Sequence, residues 1–213
     1  MLPDFDLIGA VSRPGSTGGT SFRLTRPRKR VQCDRWRRRE HSLVQRTISW
    51  DLISHRGRWM DTSSPDTGLY LFTVRLAQGT DTRIGALGMH HFPPGWYVYV
   101  GSARRALSRR VARHLRCPAR VRWHIDHLNR IDPGAPGFAI LLPGSRMTEC
   151  ALNRRVGAVP GFSIPVQRFG ASDCREGCPA HLWYTARALA PSELEDELVT
   201  LVADRRTLVL HRP

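Results

Sequence analysis

The sequence predicts an α+β domain, on three observations. Three strand-like segments come first, between Gly68 and Gly101, joined by turns at Gln78-Gly79 and Pro93-Pro94-Gly95. A basic amphipathic helix follows over 104–116, and short helices and strands fill the rest of the chain. There is no internal repeat, and 213 residues suffice for one domain with a sizeable core plus a tail. The expected architecture is a single domain over 66–190 with a small antiparallel three-stranded sheet flanked by helices. A C-terminal helix and short strand over 191–213 pack on it.

G-L-Y-L-F-T-V-R-L at 68–76 is a strand bounded by Gly68 and the Gln78-Gly79 turn. Arg83 to Phe92, interrupted by Gly85 and Gly88, is a second, irregular strand, and Tyr97 to Gly101 the third. In the helix that follows, Leu107, Val111 and Leu115 share one stripe, whereas Arg105, Arg109 and Arg116 face away. Arg110 falls at the rim of the stripe, with Arg113 and His114 further along the same flank. A short helix over 121–130 comes next, with Trp123 and Leu128 inward. Phe138–Leu142 is an apolar strand, 146–156 a helix and 164–169 another strand. After a polar, cysteine-bearing loop, extended structure resumes at His181, followed by an acidic helix over 191–203 and a last strand over 207–210. Pro191 near the first turn and acids in the early turns suit the helix dipole.

Residues 1–59 read differently. They hold 13 of the 33 basic residues against 5 acidic ones, with basic runs at 26–30 and 35–39 and no sustained period. The expectation is a basic, disordered extension. Met60, just ahead of the first clean strand, is a candidate true start. The net charge of +15 favours a polyanionic partner, nucleic acid above all, and all but one of the cationic side chains (Lys29) are arginines, whose planar forks suit phosphate. No window is long and apolar enough for a membrane span, and there is no signal-peptide pattern, so the expected location is the cytoplasm with no membrane partner. Five scattered cysteines argue against a secreted disulfide framework.

Two places can carry chemistry. The strand-to-helix joint at Gly101 and Ser102 is crowded by Arg104, Arg110, Arg113 and His114, which suits phosphate binding. His124 lies close by in sequence and can orient a water or contact phosphate, or be a structural histidine paired with Asp126 or a backbone carbonyl. The second place is Cys174-x3-Cys178-x2-His181, three soft ligands for Zn²⁺, with Asp173, Cys150 or a remote histidine as the fourth. The alternatives there are a polar turn or redox chemistry.

G-L-Y at 68–70 and Y-V-G at 99–101, followed by Arg110 on the next helix and Glu149 on a later one, resemble the ordered elements of the GIY-YIG nuclease superfamily. The longer stretches F-P-P-G-W-Y-V-Y-V-G-S-A, R-V-A-R-H-L-R, R-W-H-I-D-H-L, T-E-C-A-L and F-G-A-S-D-C with H-L-W-Y are similar to a GIY-YIG-like domain of unknown function, found alone or fused to endonuclease III. The likeness covers Gly68 to Tyr184. It implies a metal-dependent endonuclease acting on DNA in repair, with base-excision-repair enzymes as associates. It implies that Tyr99 or Tyr70 activates or orients the water, that Arg110 holds the scissile phosphate, and that Glu149 binds one divalent ion, Mg²⁺ by preference. A tyrosine serves as base there only if nearby cations lower its pKa. In that family the turn at Arg104-Arg105-Ala106 is expected to be richer in glycine, and the two cysteines closer together. The rival reading is a non-catalytic nucleic-acid-binding module on the same scaffold, with the tyrosines as strand aromatics and Glu149 as a helix-surface acid.

Overall fold

The computed structural model describes residues 65–202 and 207–212. The expected basic extension over 1–59 and Met60 lie outside the described residues. Strand β1 (Gly68–Leu76) is buried at every position from Leu69 to Val74, on both faces, as an interior strand must be. It pairs antiparallel with β4 (Gly95–Ala103) in full register, Gly68 opposite Ala103 and Leu76 opposite Gly95.

The expected middle strand does not join this sheet. Residues 80–92 form a separate hairpin, β2 (Thr80–Arg83) with β3 (Met89–Phe92), around a 3₁₀ turn over Gly85–Leu87. Thr-Asp-Thr-Arg has no apolar face to bury, so Ile84 and Phe92, with Leu87 packed beside them, anchor the hairpin to the core. The three-stranded sheet expected from the sequence is instead a five-stranded antiparallel one, in the order β6-β4-β1-β5-β7. Its other members are β5 (Phe138–Pro143), β6 (Leu182–Thr185) and β7 (Leu208–His211). β5 is buried at all six positions, which demands a neighbour on each side: β1 and β7. The strand expected over 164–169 is absent. Pro165 supplies no amide donor, Arg168 is left-handed (φ 62°), and Val166 and Phe169 reach the core from a turn.

Because side chains alternate along a strand, the sheet has two distinct faces. Tyr70, Phe72 and Val74 of β1 and Tyr97 and Tyr99 of β4 form one, covered by α1 (Leu107–Leu115) and α2 (His124–Asn129). Leu69 and Leu71 with Trp96, Val98 and Val100 form the other, under α3 (Glu149–Gly157) and α4 (Pro191–Val202). Leu107, Val111 and Leu115 are buried and Arg105, Arg109 and Arg116 exposed, as the helical period predicts. Asp66 caps α1 from the residues before β1: its carboxylate accepts the Ser108 amide (2.8 Å) and hydroxyl (3.1 Å). Thr148 caps α3 by accepting the Ala151 amide, which starts that helix three residues later than its periodicity suggested.

Candidate functional site

The face under α1 and α2 holds a cleft of about 290 Å³. Tyr70 comes from β1, Tyr99 and Ser102 from β4, Arg110 from α1, and Glu149 from the first turn of α3, and all of them line it. The register sets Tyr70 opposite Gly101, and a Cβ at Gly101 would lie 2.3 Å from Tyr70 Cζ. The glycine therefore makes room for the ring: it is a packing requirement of the tyrosine. At the far wall Gly170 plays the same part for Tyr99, 2.6 Å from its ring.

Arg110 donates from Nη1 to the Ser102 carbonyl and lies over the Trp123 ring, 5.0 Å from its centroid. The rim position thus turns the guanidinium across the strand end. Glu149 is held at both oxygens. Ser102 donates its hydroxyl to Oε2, and His181 Nδ1 approaches Oε1 at 2.8 Å. Burial pushes the Glu149 carboxyl up, but these contacts, with Arg110 behind them, outweigh it and hold the group below its ordinary value.

Behind Tyr70 lies a buried chain that the sequence did not reveal. The Tyr70 hydroxyl is 3.3 Å from His114 Nε2, and His114 Nδ1 is 3.2 Å from Asp126 Oδ1. Asp126 also accepts both Arg113 guanidinium nitrogens, at 3.0 and 2.8 Å, and the amides of Arg122 and Trp123. Burial opposes the charge on Asp126, but these donors outweigh it and hold the carboxyl far below the usual carboxylate range. Burial lowers the His114 pKa against the pull of Asp126. The imidazole is therefore neutral, with its proton on Nδ1 facing the ionised carboxylate and Nε2 left to accept from Tyr70.

These partners correct two expectations. His114 is fully buried and Arg113 chelates Asp126, so neither is presented to a phosphate. Helical spacing put both on a flank; it could not show that Asp126, on the next helix, would claim them. Arg104 is exposed beside the joint. His124 lines the cleft and stacks near Phe169, its Nδ1 accepting the Gly170 amide at 3.0 Å, so its partner is neither Asp126 nor a carbonyl. The tyrosine pKa values also run opposite to the requirement for a base. Burial pushes both Tyr70 and Tyr99 well above the ordinary value, and Arg110 offsets only part of that.

Asp173, expected only as a candidate zinc ligand, brings a second carboxylate to the cleft, and Arg122 and Trp123, which the sequence did not mark as site residues, complete its rim. The donor set of Glu149 and Asp173 fits a hard, hydrated dication, since Mg²⁺ is commonly held by one or two carboxylates and water. Cys174, Cys178 and His181 lie outside the cleft, gathered with Cys150 so that their ligand atoms are within 4.8 Å of one another.

Fold and cleft together define a single α+β domain with a polar, tyrosine-lined depression on one face of its sheet. Residues 69–203 match the family model of the domain of unknown function DUF123, and the chain belongs to that family. No curated protein and no solved structure matches it. Among the described residues no helix is long and apolar enough to cross a membrane.

Proposed function

We propose that this protein is a metal-dependent endonuclease of the GIY-YIG type that hydrolyses DNA phosphodiester bonds, acting in cytoplasmic DNA repair. The observation that carries the reading is convergence: Tyr70, Tyr99, Arg110 and Glu149 come from four separate elements and line one cleft. Arg110, already steadied by Ser102 and Trp123, binds the scissile phosphate and offsets the charge that builds up on it. Tyr99 orients the attacking water. Because the tyrosines are neutral in this burial, Tyr70 acts as a proton relay. As it takes a proton from the water, it passes its own to His114 Nε2, and Asp126 stabilises the imidazolium that results. Glu149 and Asp173 would hold the Mg²⁺, which supplies Lewis-acid polarisation of the phosphate and leaving oxygen when bound.

A second reading, the non-catalytic nucleic-acid-binding module, draws on one observation: both Glu149 oxygens already have partners within the protein. Labelled single-stranded, duplex, nicked and branched DNA, incubated with the protein in Mg²⁺ or EDTA, separates the two. The nuclease reading expects cutting that EDTA abolishes and that Arg110→Ala and Glu149→Ala each lower by about 100-fold or more. Salt-sensitive binding without cutting, unchanged by Glu149→Ala, would leave only the binding module.

A further inference from the structure

We propose that Cys150, Cys174, Cys178 and His181 bind one structural zinc ion, which fixes the wall of the cleft. The four residues come from three places: the first turn of α3, the loop between Phe169 and Ala180, and the residue before β6. Their ligand atoms all lie within 4.8 Å of one another, and the Cys150 and Cys174 sulfurs are 3.5 Å apart. Tetrahedral zinc with Zn–S bonds of about 2.3 Å sets its thiolates about 3.8 Å apart, so the cluster has the dimensions of such a site. A disulfide needs sulfurs at about 2.05 Å, far closer than this pair.

His181 supplies the second observation. It is 3% exposed, yet neither ring nitrogen has an aligned hydrogen-bond partner. Nδ1 meets Glu149 at 2.8 Å, close enough for an ion pair but off the direction an N–H prefers. A buried imidazole in that condition is costly unless something else takes up its lone pair. With Nδ1 turned to Glu149, Nε2 is the nitrogen for the metal, and Glu149 becomes the outer carboxylate that orients a ligating histidine. Three thiolates and an imidazole select zinc among the common divalent ions. They also fill all four positions, so the ion carries no reactive water and its role is to hold chain segments together.

The loop needs such a hold. Ser172, Asp173, Arg175, Glu176, Gly177 and Pro179 are all exposed, and no strand or helix runs through them. Yet Gly170, Ser172 and Asp173 form one wall of the cleft. An ion joining Cys174 and Cys178 to Cys150 ties that wall to the helix that carries Glu149. The zinc site stands whether or not the cleft is a nuclease.

The test is metal content. The full chain, purified under reducing conditions without chelator, is expected to carry about one zinc per molecule by mass spectrometry of the elements. A mercurial thiol reagent should release it, as read with a chromogenic chelator. Cobalt exchanged into the site should show the intense visible bands of tetrahedral thiolate coordination. The Cys174→Ser/Cys178→Ser variant should hold about tenfold less zinc or worse, and Cys117→Ser should be unchanged. Chain free of zinc after refolding with excess zinc and reductant would overturn the proposal, as would stoichiometric iron in its place. So would full zinc retained by the double variant. Should that variant fail to fold, the wild-type stoichiometry and cobalt spectrum still decide.

Discussion

The two faces of the central sheet are built from the same two strands and differ in almost everything else. Even-numbered residues of β1 place tyrosine, phenylalanine and valine under α1 and α2, where a buried ionic chain runs from Tyr70 through His114 to Asp126. Odd-numbered residues place leucines under α3 and α4, beside Trp96, Val98 and Val100 of β4, and the buried polar side chain there, Thr73, is satisfied by the Phe138 backbone. An apolar face is enough to fold the sheet. The ionic face costs desolvation and is compensated only by a full set of donors on Asp126. The cleft draws Tyr70, Tyr99 and Arg110 from the ionic face, and Glu149 reaches it from the first turn of α3.

The largest expected difference follows from breaking each face. Asp126→Ala leaves the buried His114 and the half-buried Arg113 without their shared carboxylate and should cost about 3–5 kcal/mol. Leu198→Ala on the opposite face opens a cavity worth about 2–5 kcal/mol. Urea unfolding measures both. The faces are told apart by function: among variants that remain folded, only the ionic-face change should alter the DNA reactions. Equal effects on DNA from both would dissolve the distinction.

The pH dependence has opposite sign on the two faces. Asp126 is held far below its ordinary value, so its stabilisation is present above the unfolded carboxyl pKa, near 4, and is lost as pH falls toward the folded value. Glu195 of α4 is pushed up to about 7 by burial, with Asp196 adding to it. Its 3.2 Å contact with His211 joins two groups that burial drives toward their neutral forms. The folded protein keeps the Glu195 proton that the unfolded chain has released, so stability from this site falls as pH rises from about 4.3 to about 7. Glu195→Gln should remove that fall and add on the order of 1–3 kcal/mol at pH 8, leaving the acid limb untouched. Denaturation midpoints across pH 3–9 give both limbs.

Smaller effects probe how the tyrosine face is shaped. Gly101→Ala drives a methyl into the Tyr70 ring and should cost about 1–3 kcal/mol. Ala106, the N-cap of α1, sits in the left-handed region at φ 54°, where a side chain is strained. Ala106→Gly should therefore stabilise the protein by up to about 1 kcal/mol, read as a small rise in the thermal midpoint.

What could be read from the sequence was local. The run bounded by Gly68 and the Gln78-Gly79 turn marked 68–76, and the i, i+4 stripe of Leu107, Val111 and Leu115 marked α1, because each signal lies within or beside one element. The sheet partners of β5 and β7 are set by pairing across long stretches of chain, and nothing in a short window declares them. The same distance hid the ionic chain: His114 lies 44 residues from Tyr70, and its spacing read as a helix flank. Cys174, Cys178 and His181 declared themselves by spacing, but Cys150 joins them from another element and stood only as one of several candidate ligands. The resemblance implied more glycine in the turn at Arg104-Arg105-Ala106, and within that turn Ala106 is left-handed.

The most direct test of the account is Tyr70→Phe, which removes one hydroxyl and keeps the ring against Gly101. In Mg²⁺-dependent cleavage of labelled DNA, the proton relay through His114 predicts a rate about 100-fold lower or worse. DNA affinity should be unchanged, and stability lowered by no more than about 1–2 kcal/mol. Cleavage within a few-fold of wild type, or none by the wild type itself in Mg²⁺, would contradict it.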